Sequence, residues 1–168
     1  MMNAKVFQSD APLDERRVII RRRDGDVEMV ELPWGLRPLD GLRAANVVRS
    51  EGRTFLTHRC LVPASEFRHR RGARNFCFSL KNGDWFYFAG IWRQASHGWP
   101  EAYAILTIEA NADIAPYHDR QMAVLTRDQR MDWLDGLLPE EEILRPLPAG
   151  TFRVKPLSNV PFQSSLAV

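Results

Sequence analysis

Short hydrophobic runs separated by turn residues make up most of the chain, and they predict a domain built mainly from β-strands. Val18 to Arg22 and Val27 to Leu32 flank Asp24-Gly25, a dipeptide typical of tight hairpin turns. Further strands are predicted at Arg59 to Val62, Phe76 to Leu80, Trp85 to Trp92, Tyr103 to Ile108, Met122 to Leu125 and Phe152 to Lys155. The charged stretch Glu66 to Arg74 is interpreted as a solvated edge or turn.

Two helices are predicted near the C-terminus. Thr126 to Gln129 has the pattern of a capping box, and Met131, Leu134, Leu137 and Leu138 follow at helical spacing. Pro139 and three glutamates predict the start of a second helix. Because no repeat or domain boundary is evident, we expect residues 1–168 to form a single α+β domain. Its sheet is predicted to be strand-rich, mixed and curved or barrel-like, with helices packed outside.

The composition is that of a soluble globular domain, with 45% hydrophobic and 26% charged residues among 168. No apolar run approaches the ~20 residues of a membrane helix, and Met1 to Asp10 has no signal-peptide core. Cys60 and Cys77 provide no disulfide framework and no metal-type spacing, and both lie in apolar strands typical of structural thiols. We therefore expect a cytoplasmic protein that does not contact membranes.

Arginine dominates the basic residues, because only three of the 23 are lysine. The span Arg43 to Arg74 contains eight arginines and two glutamates, a net charge of +6. Guanidinium groups bind phosphate oxygens through two hydrogen bonds at once. Two interpretations stay open, a basic face for phosphates or an arginine-rich genome combined with an ordinary solvated surface.

Three residues are candidates for chemistry or binding. His118 is predicted to lie on a loop at a strand edge beside Asp119, where it suits proton transfer or is simply a surface histidine. Asn46 enters an apolar run, so it needs a buried partner or a ligand, unless it is a turn residue. Trp34 lies between Pro33 and Gly35 at a strand end, where it is a candidate for stacking on unpaired bases.

The four histidines lack metal-ligand spacing, and no glycine-rich phosphate loop or serine nucleophile motif is present. We therefore predict no metal and no cofactor.

Six motifs occur in the order and approximate spacing of the SOS-response-associated peptidase family, which the chain resembles over residues 17–156. They are Trp34 to Pro38, Asn46 to Glu51, Arg59 to Ala64, Ala89 to Trp92, Ile105 to Asn111, and His118 to Leu125 with Trp133-Leu134. The resemblance implies a strand-rich, barrel-like α+β fold and binding of single-stranded DNA that carries abasic sites. It also implies a DNA–protein cross-link through an N-terminal cysteine, and an autoproteolytic peptidase activity.

Site residues follow from the resemblance position by position. His118 matches the family's catalytic histidine, although Ala123 stands where proline is usual. Asn46 matches the asparagine that helps to hold the N-terminal cysteine. Arg49 or a neighbour and Arg120 match phosphate contacts, and Trp34 matches the tryptophan that stacks on bases. We expect His118 at the floor of a cleft within reach of Asn46, and Arg49, Arg120 and Trp34 together in one groove.

Two departures separate the chain from the family pattern. The family begins Met-Cys, whereas this chain begins Met1-Met2-Asn3 and is shorter at the front; a start codon assigned too late would explain this difference. His69 stands where the family has its catalytic glutamate. Glu66 is three positions short of that place, and only a local bulge would bring it in.

Three hypotheses follow. The chain is a protein of the DNA-damage (SOS) response that acts on abasic single-stranded DNA, or a non-catalytic binder of single-stranded nucleic acid on the same fold, or an interaction protein whose arginines reflect genomic bias. Loss of both the nucleophile and the acid/base, and with them of cross-linking and peptidase (hydrolase) activity, fits a degenerate relative that keeps DNA binding. An in-frame Met-Cys upstream of Met1 would instead favour the first hypothesis.

Overall fold

The computed structural model of the chain describes residues 7–8, 11, 15–36 and 44–157. The strands are β1 (Glu15–Arg23), β2 (Asp26–Trp34), β3 (Val47–Arg49), β4 (Arg59–Ala64), β5 (Phe67–Arg71), β6 (Arg74–Leu80), β7 (Phe86–Arg93), β8 (Ala102–Glu109), β9 (Arg120–Met122), β10 (Val124–Leu125) and β11 (Phe152–Leu157). A 3-10 turn (Arg127–Gln129) precedes helix α1 (Arg130–Leu134), and α2 (Glu140–Ile143) follows. The prediction of a strand-rich α+β fold is confirmed.

The larger sheet has eight strands and curves back on itself. Its order is β10-β7-β4-β1-β2-β8-β3, and β9 pairs with β8. Because β7 also pairs with β8, the strands β7, β4, β1, β2 and β8 form a closed ring of hydrogen-bonded neighbours. Strands β2 and β3 run parallel to β8, whereas the other pairs are antiparallel. The expectation of a curved, mixed sheet is confirmed.

The predicted first hairpin forms as β1–β2. Asp24 and Gly25 both have positive φ angles, 52° and 86°, so the turn suits the twist of the flanking strands. Alternation then places Arg17, Ile19 and Arg21 on the buried face of β1.

Three layers bury two hydrophobic clusters. The second sheet has the order β11-β6-β5, and its Phe67, Phe78 and Phe152 pack against the ring strands. The opposite face of the larger sheet packs against the helices, where Trp133 is fully buried and donates a 3.0 Å hydrogen bond from Nε1 to the Cys60 backbone oxygen.

The interpretation of Glu66 to Arg74 as a solvated edge or turn is wrong for Phe67 to His69, which belong to β5 and have one face buried; β5 is the edge strand of the second sheet, and residues 70–74 are exposed. Along β5, Phe67 and His69 are buried, whereas Arg70 is exposed. The alternation is that of a strand with one face on the core, and only the tip of the hairpin, at Gly72 with φ 61°, is a turn. Charged residues on the outer face concealed this pattern in the sequence.

The predicted helices are present, but α1 is shorter than expected. Gln129 accepts a 3.0 Å hydrogen bond from the Thr126 backbone N–H, as the capping box predicts. The chain leaves the helix after Leu134 and turns at Gly136, where φ is 64°, so Leu137 is 65% exposed. No helix within the described residues has the length and apolarity that a membrane span requires.

One arginine of the basic span belongs to the core. Arg59 is 6% exposed and lies over the Trp133 ring, with 4.2 Å from its guanidinium carbon to the ring centroid. It pairs with Glu140 at 3.1 Å and donates hydrogen bonds to backbone oxygens, including that of Phe55. Arg59 therefore stabilises the packing of α1 and α2 on β4.

Gly90 pairs with Cys60 between the neighbouring strands β4 and β7, where a larger side chain has no room. A Cβ atom there would lie 2.8 Å from Cys60 Sγ and 3.0 Å from the Ala104 backbone oxygen. We expect Gly90→Ala to lower the free energy of unfolding by ~1–3 kcal/mol, the usual cost of overpacking. Urea denaturation measures this change. Replacing Cys60 by Ala in the same background should recover part of the loss, and additive effects of the two substitutions would contradict the proposed clash.

Candidate functional site

A cleft of about 300 Å³ lies at the edge of β8. Its lining residues come from β3, β5, β8, β9 and the loop before β9. They are Val47, Arg49, His69, Thr107, His118, Arg120, Gln121 and Met122. The cleft therefore combines two imidazoles and two guanidinium groups with apolar walls.

Strand β8 brings two distant segments of the chain to the cleft. Thr107 pairs with Arg49 on one side, in the parallel ladder to β3. On the other side it pairs with Met122, in the antiparallel ladder to β9. Side chains directly opposite one another in a sheet share a face, so all three point to the same side of the sheet.

The loop between β8 and β9 is shaped by Asn111. This residue is 2% exposed, and its Oδ1 accepts hydrogen bonds from the backbone N–H groups of Asp113 and Ile114, both at 3.1 Å. Such a side-chain turn fixes the loop without a helix. The His118 backbone N–H then donates to the Ile114 oxygen at 3.0 Å, so the turn sets the position of His118.

His69 reaches the cleft from the second sheet. Its ring is 4.7 Å from that of His118, centroid to centroid, and the ring planes are 22° apart. The hairpin and the loop are held together beside this pair, because Arg71 donates a hydrogen bond to the Pro116 backbone oxygen and Phe76 contacts Tyr117 at 4.4 Å. His69 is 4% exposed, whereas the His118 side chain is 38% exposed.

The backbone of Arg120 orients the His118 ring. The Arg120 N–H donates to Nδ1 at 3.1 Å, and the Arg120 carbonyl oxygen lies 2.9 Å from the same nitrogen. Nδ1 is therefore occupied within the protein, and Nε2 is the ring nitrogen left for a ligand.

The Arg120 side chain crosses the cleft and binds Glu51. Both terminal nitrogens contact the Glu51 carboxylate at 2.8 Å, and one also donates to the backbone and side-chain oxygens of Thr107. The hydrogen bonds from Arg120 hold the pKa of Glu51 below its usual range. Glu51 is 48% exposed, so this pair lies at the solvent side of the cleft.

Asn46 does not line the cleft, contrary to expectation. It is 6% exposed, and its side-chain amide donates a 2.6 Å hydrogen bond to the Ala11 oxygen. Val47 and Arg49 face the cleft, and successive residues of an extended chain face opposite sides. Val47, the next residue along the chain, therefore faces the cleft and Asn46 does not.

Trp34 does not line the cleft either, and the expectation of a shared groove with Arg49 and Arg120 is wrong for this residue. Its side chain is fully buried, packs edge-on against Phe7 at 5.6 Å and lies parallel to Tyr103 at 6.4 Å. Its Nε1 donates a 2.8 Å hydrogen bond to the Asn46 backbone oxygen. The buried N–H has its partner within the core, so the ring is not available for stacking on bases.

Glu66 does not replace the missing carboxylate. His69 faces the cleft, whereas Glu66, which precedes β5, lies beside Arg68 and Cys77 on the other face of the second sheet. There it accepts a 3.2 Å hydrogen bond from Cys77 Sγ. No bulge brings Glu66 toward His118, which instead has His69 as its neighbour.

Neither cysteine is poised as a nucleophile. Burial raises the pKa of the Cys60 thiol well above its usual range. Burial and the hydrogen bond to Glu66 raise the pKa of Cys77 to about 11. Within the part of the chain that the structure describes, no three His, Cys, Asp or Glu residues are grouped closely enough to hold a metal ion.

The structure thus brings His118, His69, Arg49 and Arg120 together, and their roles stay predictions. Sequence reasoning missed Thr107 and Glu51 as the partners of Arg120. Thr107 lies in a run of apolar residues that is typical of a fully buried strand, and Glu51 contacts a residue 69 positions away. No local pattern marks either one.

Comparison with known proteins gives one family and several solved structures of the same fold. Residues 9–160 match the SOS response associated peptidase (SRAP) family, which confirms the resemblance drawn from the motifs. A comparison with curated protein sequences gives no match.

Solved structures show the same fold at low sequence identity. A Bordetella bronchiseptica protein is 21% identical, with a TM-score of 0.72 over 93% of this chain and 90% of its own. A Bacteroides thetaiotaomicron protein is 22% identical, with a TM-score of 0.68 over 89% and 77%. A phage-related protein from Bordetella bronchiseptica is 22% identical, with a TM-score of 0.66 over 89% and 81%.

The buried position of Trp34 predicts a structural effect of its substitution. Trp34→Phe keeps an aromatic ring but removes one of two hydrogen bonds to the Asn46 oxygen, which still accepts from the Ile105 N–H. We expect a loss of ~1 kcal/mol in the free energy of unfolding. Affinity for single-stranded oligonucleotides should be unchanged while the variant is folded. Urea denaturation and fluorescence anisotropy measure the two quantities. A weaker affinity at unchanged stability would restore the stacking role.

Proposed function

Because the chain belongs to the SOS response-associated peptidase family, we propose that it binds single-stranded DNA in the cleft beside β8. The proposal includes strands that carry an abasic site. In this proposal the protein binds DNA in the response to DNA damage but has lost the cross-linking and peptidase activities that the family resemblance implies.

The observation that carries the proposal is the composition of the cleft. Arg49, Arg120, His69 and His118 converge there, and none of the described lining residues is a carboxylate. Such a set attracts phosphate groups, because guanidinium and imidazolium groups donate charge-assisted hydrogen bonds to phosphate oxygens. Arg49 is exposed, so it is accessible to a DNA backbone.

Glu51 defines how a phosphate would bind. Its carboxylate occupies the two terminal nitrogens of Arg120 in the geometry that a phosphate group also adopts. A DNA phosphate at the cleft would replace this carboxylate, and Glu51 would return to solvent. Displacing the exposed Glu51 from Arg120 therefore costs little free energy, since surface ion pairs are weak.

Four residues support the proposed loss of covalent chemistry. His69 stands at the place of the family glutamate, and Val47 faces the cleft where the asparagine is expected. The thiols of Cys60 and Cys77 are buried away from the cleft. An imidazole is neutral or cationic, so His69 does not supply the negative charge that a carboxylate would bring to this position.

The first prediction concerns phosphate binding. We expect Arg49→Ala and Arg120→Ala each to weaken binding of a single-stranded oligonucleotide about fivefold, roughly 1 kcal/mol for an ion pair near solvent. The loss should be similar for all base sequences, because phosphate contacts do not read bases. Each variant should also lower the salt dependence of log K by about 0.7. Anisotropy titrations at several salt concentrations measure both effects.

A matched control is Arg53→Ala, since Arg53 is exposed and close in the chain but does not line the cleft. Glu51→Gln removes the competing carboxylate and should strengthen binding. The proposal fails if Arg53→Ala weakens binding as much as Arg49→Ala, or if binding does not depend on salt.

The second prediction concerns covalent trapping. A thiol next to a free α-amine closes a stable ring with an aldehyde, whereas an amine alone stops at a reversible imine. We expect the 168-residue chain to form no heat-stable adduct with an abasic oligonucleotide on a denaturing gel. Borohydride provides the control, because it reduces an imine and should trap it. A stable adduct without borohydride would show that a nucleophile acts in the cleft.

A further inference from the structure

The two imidazoles of the cleft form a stacked pair that the proposed DNA contacts of Arg49 and Arg120 do not use. His69 lies at the buried end, and edge-on contacts with Phe67 and Phe78, both at 5.6 Å, hold its ring in place. His118 covers it at 4.7 Å. A second positive charge on such a pair is unfavourable unless an anion lies beside it.

The charges around the pair favour an anion. Arg49 and Arg120 line the same cleft, and Arg71 holds the hairpin against the His118 loop. Three acidic residues are near the site: Glu51, which Arg120 binds at the solvent side, the exposed Glu109, which is opposite Arg120 in the β8–β9 ladder, and Asp119, which is 93% exposed and lies 3.4 Å from His118 Nδ1. None of the three is among the residues that line the cleft.

The Arg120 backbone holds Nδ1 of His118 and leaves Nε2 for a ligand. A ring that accepts the Arg120 N–H bond at Nδ1 carries its proton on Nε2. A doubly protonated ring donates from Nδ1 to the Arg120 oxygen and also has a proton on Nε2. A neutral ring with its proton on Nδ1 leaves Nε2 as an acceptor, so a bound phosphate would select the two arrangements in which Nε2 donates.

We infer that the inner end of the cleft binds a phosphate monoester at the end of a DNA strand, through His69 and His118. A monoester carries about −1.5 to −2 charges and three acceptor oxygens at pH 7, whereas an internal phosphodiester carries one charge. The buried position of His69 admits a chain end more readily than a continuing strand. The cleft volume of about 300 Å³ is roughly ten times that of a water molecule in the liquid, enough for a phosphate and its sugar.

The inference rests on the proposed binding of single-stranded DNA. The experiment therefore tests the terminal-phosphate preference and the binding of the strand separately. Three oligonucleotides of one sequence carry a fluorophore on an internal base and end in a 5′-phosphate, a 3′-phosphate or hydroxyls only. We expect one phosphorylated strand to bind at least tenfold more tightly than the hydroxyl strand, and the preferred end identifies the source of the phosphate. Equal affinities would overturn the inference and leave the proposed function intact. Absence of binding to all three would overturn both.

Substitutions of the two histidines test whether His69 and His118 cause the preference for the phosphorylated strand. His69→Glu places a carboxylate at the inner end and should abolish the preference for the phosphorylated strand, and His69→Gln and His118→Gln should reduce it severalfold. His97→Asn is the matched control, because His97 is exposed and asparagine tolerates its φ of 50°.

Folding of each variant is checked by circular dichroism, and the two glutamine variants decide the outcome if His69→Glu does not fold. An unchanged preference in both glutamine variants would overturn the assignment to His69 and His118. Because the chain has four histidines, the imidazole proton resonances provide a second measurement. The phosphorylated strand should shift the His69 and His118 signals, and the hydroxyl strand should not. Shifts confined to His58 and His97 would contradict the inference.

Discussion

Strand β8 is the constraint on which the fold and the cleft both depend. It pairs with β2 and β3 on one edge and with β7 and β9 on the other, so it closes the ring of strands and joins segments far apart in the chain. Thr107 lies between Arg49 and Met122 for this reason. The backbone hydrogen bonds of one strand thus position the cleft residues more strictly than any side-chain contact among them.

Packing behind this strand determines which polar groups are left for binding. Trp34, Asn46 and Arg59 all carry groups that suit a ligand, yet each is bound within the core. A buried donor without a partner is costly, so these contacts stabilise the domain and remove the residues from the surface. Arg49, His69, His118 and Arg120 are the groups that remain at the cleft.

Family membership and the residues of the cleft both bear on whether the protein only binds DNA or also catalyses a reaction. The chain belongs to the SOS response-associated peptidase family over residues 9–160, and its fold is shared with solved structures that are 21–22% identical. Its cleft contains His118, Arg49 and Arg120, which the motifs match to family residues, together with His69 and Val47. Glu51 is bound to Arg120 at the solvent side, and the residues that line the cleft are cationic or neutral, which suits the proposed binding of an anion.

The sequence by itself determined the strand-rich fold class, the first hairpin, the capping box and the family, because each depends on local residue order. Asp24-Gly25 needs no distant partner to form its turn, and Thr126 meets Gln129 within one helical turn. Only the tertiary structure decided that His69 faces His118, that Asn46 turns away from the cleft and that Trp34 is buried. A one-residue difference in register reverses the face on which a side chain lies, and strand pairing between distant segments sets that register.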